Sequence, residues 1–152
     1  MMDLNLLASV FAWVGVGLMV GVTGAGSAMG LGACGSAAIG AIKKRPEVFG
    51  SVLILSALPA TQGLYGFVAF IMYSGVISEG VTLFQGSIIL GAGIAMSIAC
   101  YISALHQAKL VANGIAAVGS GSNVFGNTMI LAAFPEFYAI LSLVAAILMM
   151  PA

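Results

Sequence analysis

The chain carries only four basic and four acidic residues among 152, at Asp3, Lys43, Lys44, Arg45, Glu47, Glu79, Lys109 and Glu136. The stretches between them are long enough to cross hydrocarbon, which needs about 20 apolar residues. With 62% hydrophobic residues and a mean hydropathy of +1.21, such a chain belongs in a membrane. Backbone amides in lipid must be satisfied within their own segment. The unbroken Ala, Gly, Leu and Met runs also lack the alternation of barrel strands, so the expected fold class is an all-α membrane protein. Four spans are predicted, at residues 5–41, 47–75, 82–118 and 123–150. At 1.5 Å per residue the first and third exceed a hydrocarbon core of ~30 Å, so they must tilt or project beyond it.

The rest of the composition removes several function classes. Net charge is zero, and the few basic residues form no patch with interleaved aromatics, so no nucleic-acid partner is expected. Cys34 and Cys100 lie inside apolar runs, where a free cysteine behaves as a small buried hydrophobe. Met1 to Leu7 contain an aspartate and no basic residue, unlike the start of a secretory signal, so the first helix is expected to be retained. The positive-inside rule places the Lys43-Lys44-Arg45-Pro46-Glu47 turn in the cytoplasm. Gly119 to Asn123 then lies on the same side, and both termini lie outside.

Val48-Phe49-Gly50 recurs as Val124-Phe125-Gly126, and Leu58-Pro59-Ala60 recurs as Phe134-Pro135-Glu136, both 76 residues on. Ile54 and Leu55 match Ile130 and Leu131, and Val68-Ala69 matches Val144-Ala145. The pattern is a duplicated hairpin entering twice in the same orientation, residues 1–75 and 76–152. In the first helices, Gly24 to Met29 resembles Gly91 to Met96 at an offset of 67. That suggests a gain of about nine residues in the second hairpin.

Gly17, Gly21, Gly24, Ala28, Gly32 and Ser36 share one face of the first span, where a neighbouring backbone can come close. A face of this length suits an inner annulus of identical neighbours. Gly86, Gly91, Gly93 and Ser97 of the third span form a weaker version of it. Gly30-Leu31-Gly32-Ala33-Cys34-Gly35 matches a dinucleotide fingerprint in letters, but it lies mid-helix with no preceding strand, so it carries no such function.

Glu136 falls about 13 residues past the Gly119 to Asn123 turn, ~20 Å of helix rise and near mid-span. A carboxylate at that depth is expensive and normally marks an ion or proton path. A bound cation holds it ionised by direct attraction, so loading and unloading are switchable. The repeat places Ala60 at the equivalent position of the second span, followed by Thr61 and Gln62. Gln107 on the third span lies at nearly the same depth. Hydroxyl, amide and carboxylate oxygens are the donors that suit a hard cation such as Na⁺. Interhelical hydrogen bonding is the plainer use of the same neutral groups.

Pro59 and Pro135 remove amide donors, which would open the carbonyls of Leu55 and Leu131. Tyr65, one turn beyond Thr61, could reach the carboxylate. His106 has no second His or Cys at metal spacing. It reads, with Lys109, as a side chain reaching toward the cytoplasmic side.

These residues resemble one family over essentially the whole chain: the duplicated, four-helix rotor-ring proteolipid of rotary V-type ATPases, also called the K or c subunit. The resemblance rests on the Gly-rich first helix, Arg45-Pro46-Glu47, and the run from Leu58-Pro59-Ala60-Thr61-Gln62 through Gly63-Leu64-Tyr65-Gly66. It also rests on His106-Gln107 and on Pro135-Glu136 with Tyr138. It implies a homo-oligomeric ring in which Glu136 carries one ion past a static membrane subunit bearing a basic group. It also implies that nucleotide chemistry is left to partner subunits.

The Na⁺-transporting members are most similar, which implies ligands from the Leu58 carbonyl, Thr61, Gln62, Gln107 and Glu136, with Tyr65 locking the carboxylate. H⁺ is the alternative cargo. The second turn lacks the basic-Pro-acidic character of the first, leaving Lys43 to Glu47 as the contact for a central stalk. A small proton-coupled secondary transporter would share the lone glutamate, but it does not predict the small-residue face or the Thr61, Gln62 and Gln107 oxygens.

Overall fold

Uninterrupted runs of Ala, Leu, Ile, Met and Gly in hydrocarbon leave helix as the available backbone solution. The computed structural model, which describes residues 3–151, has five α-helices and two short 3₁₀ turns. They are α1 (Leu4–Lys44), α2 (Phe49–Ala57), α3 (Thr61–Ser78), α4 (Leu83–Gly119) and α5 (Phe125–Met149). A 3₁₀ turn at Pro46–Val48 opens the second span, and another at Leu58–Ala60 joins α2 to α3. Four stretches are therefore long and apolar enough to cross a membrane: Leu4–Lys44, Pro46–Ser78, Leu83–Gly119 and Phe125–Met149. Each lies within about three residues of its sequence-based limits. Asp3 caps α1 through the Asn5 amide, and Thr82 with Gln85 forms a reciprocal capping box on α4. Gly80 and Gly121 turn the chain at φ +94° and +98°, a region that other residues seldom enter.

The two halves are units of sequence, but the packing crosses between them. α1 lies against α4 more extensively than against its own hairpin partner. The approach is backbone to backbone: a Cβ on Gly93 would strike Gly15, and one on Gly86 would strike Ala8. A Cβ on Gly119 would meet Ala41. Each of these contacts pairs an α1 residue with the α4 residue 78 positions later.

The weak small-residue face expected on the third span divides accordingly. Gly86, Gly93 and Ser97 are buried, while Gly91 is exposed, because 86, 93 and 97 fall on one stripe and 91 lies well round the helix from it. By contrast, the expected face of α1 is bare: a Cβ at Gly17, Gly21, Gly24 or Gly32 would meet nothing within 4 Å.

Buried apolar side chains form two clusters. One gathers Val16, Met19, Tyr73, Ile89 and Met96. The other gathers Cys34, Val52, Leu55, Val111 and Ile115 toward the Arg45 turn. Both cysteines are buried and free. Between the clusters lies a layer containing Thr23, Ser27, Gln62, Ser103 and Gln107, all buried.

Gly93→Val should lower the stability of the solubilised protein by at least the ~1–3 kcal/mol of an overpacked contact, since backbone cannot yield. Gly75→Ala, inside α3 with nothing within 4 Å of the new methyl, should add ~0.5–1 kcal/mol. Thermal unfolding in detergent measures both.

Candidate ion-binding site

Pro59 cannot continue the α-helical ladder, and the chain answers with the 3₁₀ turn at Leu58–Ala60. The Leu55 carbonyl is not left open, contrary to the sequence-based expectation, because the Leu58 amide bonds to it. Shortening the turn re-pairs the group that proline orphans. α3 then begins at Thr61, and its first side chains point into the polar layer. The corresponding Pro135 sits inside an unbroken α5.

Glu136 is half-buried and its carboxylate gathers donors from two other helices. Oε2 accepts from Thr61 Oγ1 at 2.8 Å, Gln62 Nε2 at 3.0 Å and Gln107 Nε2 at 2.8 Å. Oε1 accepts from the Tyr65 hydroxyl at 2.6 Å. Hydrogen bonds to a charged group are worth ~1.5–3 kcal/mol each, so this set offsets a placement that is costly in apolar surroundings.

Thr61 Oγ1 also lies 3.1 Å from the Leu58 carbonyl oxygen, which brings that oxygen to the rim of the cluster. Thus Thr61, Gln62, Tyr65 and Gln107 converge on Glu136, with the Leu58 carbonyl at the rim. His106, next to Gln107, faces the other way and is exposed.

Two serines that the sequence pattern did not single out complete the support. Ser103 accepts from Gln62 Nε2 at 3.1 Å and donates to the Pro135 carbonyl at 2.8 Å. Ser27 accepts from the Gly63 amide at 2.8 Å, just beyond the 3₁₀ turn. Gln107 Nε2 also reaches the Ala132 carbonyl at 2.9 Å, and its Oε1 accepts from Gln62 Nε2 at 3.0 Å. Ser27 and Ser103 are themselves 76 residues apart, Ser103 bonding the carbonyl of Pro135 and Ser27 the backbone one turn past Pro59. Carrying that offset into the first helices would have found both.

The sequence pattern of the family described as the ATP synthase C subunit matches residues 14–73 and again 90–149. The chain belongs to this ATP synthase family. The two matched stretches are 76 residues apart at both ends, so the second hairpin has gained no residues. The 67-residue match was a coincidence of small residues, which recur throughout membrane helices.

Among relatives, the A-type ATP synthase subunit K of Methanocaldococcus jannaschii is 36% identical over 90% of this chain and 60% of its own length. The V-type sodium ATPase subunit K of Enterococcus hirae is 38% identical over 92% of this chain and 90% of its own length. The chain thus spans about three-fifths of the first relative and nearly all of the second. Membership makes it a multi-pass membrane subunit of a rotary ATPase, without catalytic chemistry of its own.

Tyr65→Phe deletes the hydroxyl on Oε1 and leaves the three bonds to Oε2. Carbodiimide should then modify Glu136 about tenfold faster, the factor expected for one lost charged hydrogen bond. The initial rate of labelling at fixed pH checks this.

Proposed function

We propose that this chain is the rotor-ring subunit of a V/A-type ATPase and that it carries Na⁺ on Glu136, with one ion site per chain. The observation that carries the reading is the convergence of one membrane carboxylate with Thr61, Gln62 and Gln107, neutral groups from two neighbouring helices. A proton carrier needs only the acid and a single partner. Here the carboxylate, the Thr61 hydroxyl, the Leu58 carbonyl and two amide groups offer enough oxygens for a hard cation. Both glutamine amides donate N–H to Oε2, and a half-turn of each amide presents its oxygen instead. The same pair therefore serves the carboxylate without cargo and the ion with it. Tyr65 fixes the carboxylate in the binding geometry.

Transport follows from charge. With Na⁺ bound the site is neutral and passes through lipid. When Glu136 meets a basic group on the static membrane subunit, that group replaces the ion's charge and the ion leaves. Rotation then brings the emptied site to the opposite access route. The bare α1 face suits contact with identical copies around an annulus. The Lys43 to Glu47 turn, where Arg45 Nε bonds Glu47 at 2.7 Å, offers a shaped contact to a central stalk on the cytoplasmic side. The termini lie outside.

Na⁺ near neutral pH should slow carbodiimide modification of Glu136 by an order of magnitude or more, and Gln107→Ala should weaken that protection about tenfold (~1.4 kcal/mol). Labelling that quickens as the pH falls and is unaffected by Na⁺ would assign the ring to protons. The purified assembly should have the mass of a large homo-oligomer. A dimer would instead support a small secondary transporter.

A further inference from the structure

α4 and α5 leave between them an open groove of about 810 Å³, lined by Ile102, His106, Leu110, Leu131, Phe134 and Tyr138. The duplication says what covers it. Inside the chain, a Cβ at Gly15 meets Ile89, one at Gly93 meets Gly15, and one at Gly26 meets Tyr101. A Cβ at Gly30 meets Pro59 of its own hairpin first and lies 3.3 Å from both the Ala104 carbonyl oxygen and Ala108 Cβ.

Moving each contact on by one repeat exchanges α1 for α4, and α4 for α1 of a following copy. The pairs become Gly91 with Trp13 and Gly17 of the next copy, Ile102 with its Ala25, and His106 with its Ala28 and Gly32. Every one of these positions is exposed in the single chain, whereas the internal counterparts Gly15, Gly26, Gly30, Gly93, Ala104 and Ala108 are buried. The two open surfaces are thus related as the two faces of the closed interface are.

We infer that the second copy docks head to tail in this register, and that His106 keys it by seating in the recess between Ala28 and Gly32 of the next copy. This rests on the rotor-ring reading above and adds the register and the residue that sets it. His106 stands where the first hairpin has Gly30. The internal boundary closes to backbone contact at that level, and the boundary between copies is held open by one imidazole. A bulky side chain needs a socket without side chains, and no Cβ occupies Gly32, with nothing within 4 Å of where it would be.

At this boundary Leu31 takes the place of Gln107 and Ala60 that of Glu136. The contact between copies is therefore adhesive and binds no ion. Because Gln107 follows His106 directly, one turn of α4 fixes both the copy boundary and a ligand.

The test is cysteine cross-linking in the purified assembly. A Cβ added at Gly30 would lie 3.3 Å from that of Ala108, close to the ~3.8 Å of a disulfide. His106→Cys with Gly32→Cys should therefore oxidise to a ladder of linked chains on a denaturing gel. Each single variant, and His106→Cys with Gly21→Cys about three helical turns out of register, should remain monomeric. An assembly of normal mass that fails to ladder with Gly32→Cys, or ladders with Gly21→Cys, overturns the register while the ring stands. A native mass no greater than a dimer overturns the ring as well. Should the double variant not assemble, maleimide labelling of Gly32→Cys alone gives a second reading. Labelling should be at least tenfold slower in the assembly than in dissociated chains, and equal rates refute the seat.

Discussion

The structure depends on satisfying one charge from within. A carboxylate in hydrocarbon has no water to turn to, so the donors around Glu136 must come from the protein, and they come from the second and third spans, not from its own. This requirement explains features that otherwise look unrelated. The second span breaks at Leu58–Ala60, so that Thr61, Gln62 and Tyr65 reach the acid. α4 places Gln107 and, one turn earlier, Ser103 on the same face. α5 runs unbroken through Pro135 and presents the acid from a continuous helix. The apolar clusters above and below hold the helices at the separation these bonds need.

Holding four helices at that separation without a strong hydrophobic drive in lipid requires intimate contact elsewhere. Glycine supplies it. Gly15 and Gly93 let the α1 and α4 backbones touch, and Gly66 lies so close to Thr23 and the Met19 carbonyl that a Cβ there would strike both. The α1–α4 pair is thus the axis on which the second and fourth spans are hung, even though those helices belong to different hairpins. The α1 face pointing away from this contact is likewise built of small residues but uncovered, and helices in a membrane use such faces for close approach to another helix.

Most of the fold was legible because hydropathy and length determine spans, and all four fell close to their expected limits. Glu136 was legible from its cost alone, and Thr61 and Gln62 from the repeat. Two matters were not. The effect of Pro59 was misassigned to an open Leu55 carbonyl, since local sequence does not say whether a chain will kink or tighten into a 3₁₀ turn. The register of the first helices was taken from Gly-Ala-Gly letters, which carry little information where small residues are everywhere. Ser27 and Ser103 went unseen as equivalents for the same reason, although polar residues are rarer in these helices and mark register better.

The two hairpins have diverged in ways that only make sense together. The second carries the acid on an unbroken helix, and the first carries the broken helix with its hydroxyl, amide and phenol. In the proposed contact between copies, an acid at position 60 would face Phe137, Tyr138 and Leu141 of the neighbouring copy, the repeat counterparts of Thr61, Gln62 and Tyr65. None of those three offers a small hydroxyl or an amide, so a second acid at Ala60 would lie at the copy boundary without most of the bonds that make Glu136 tolerable. An acid and its donors are therefore needed together. A duplicated chain of this kind holds one site per four spans because each site draws on both hairpins.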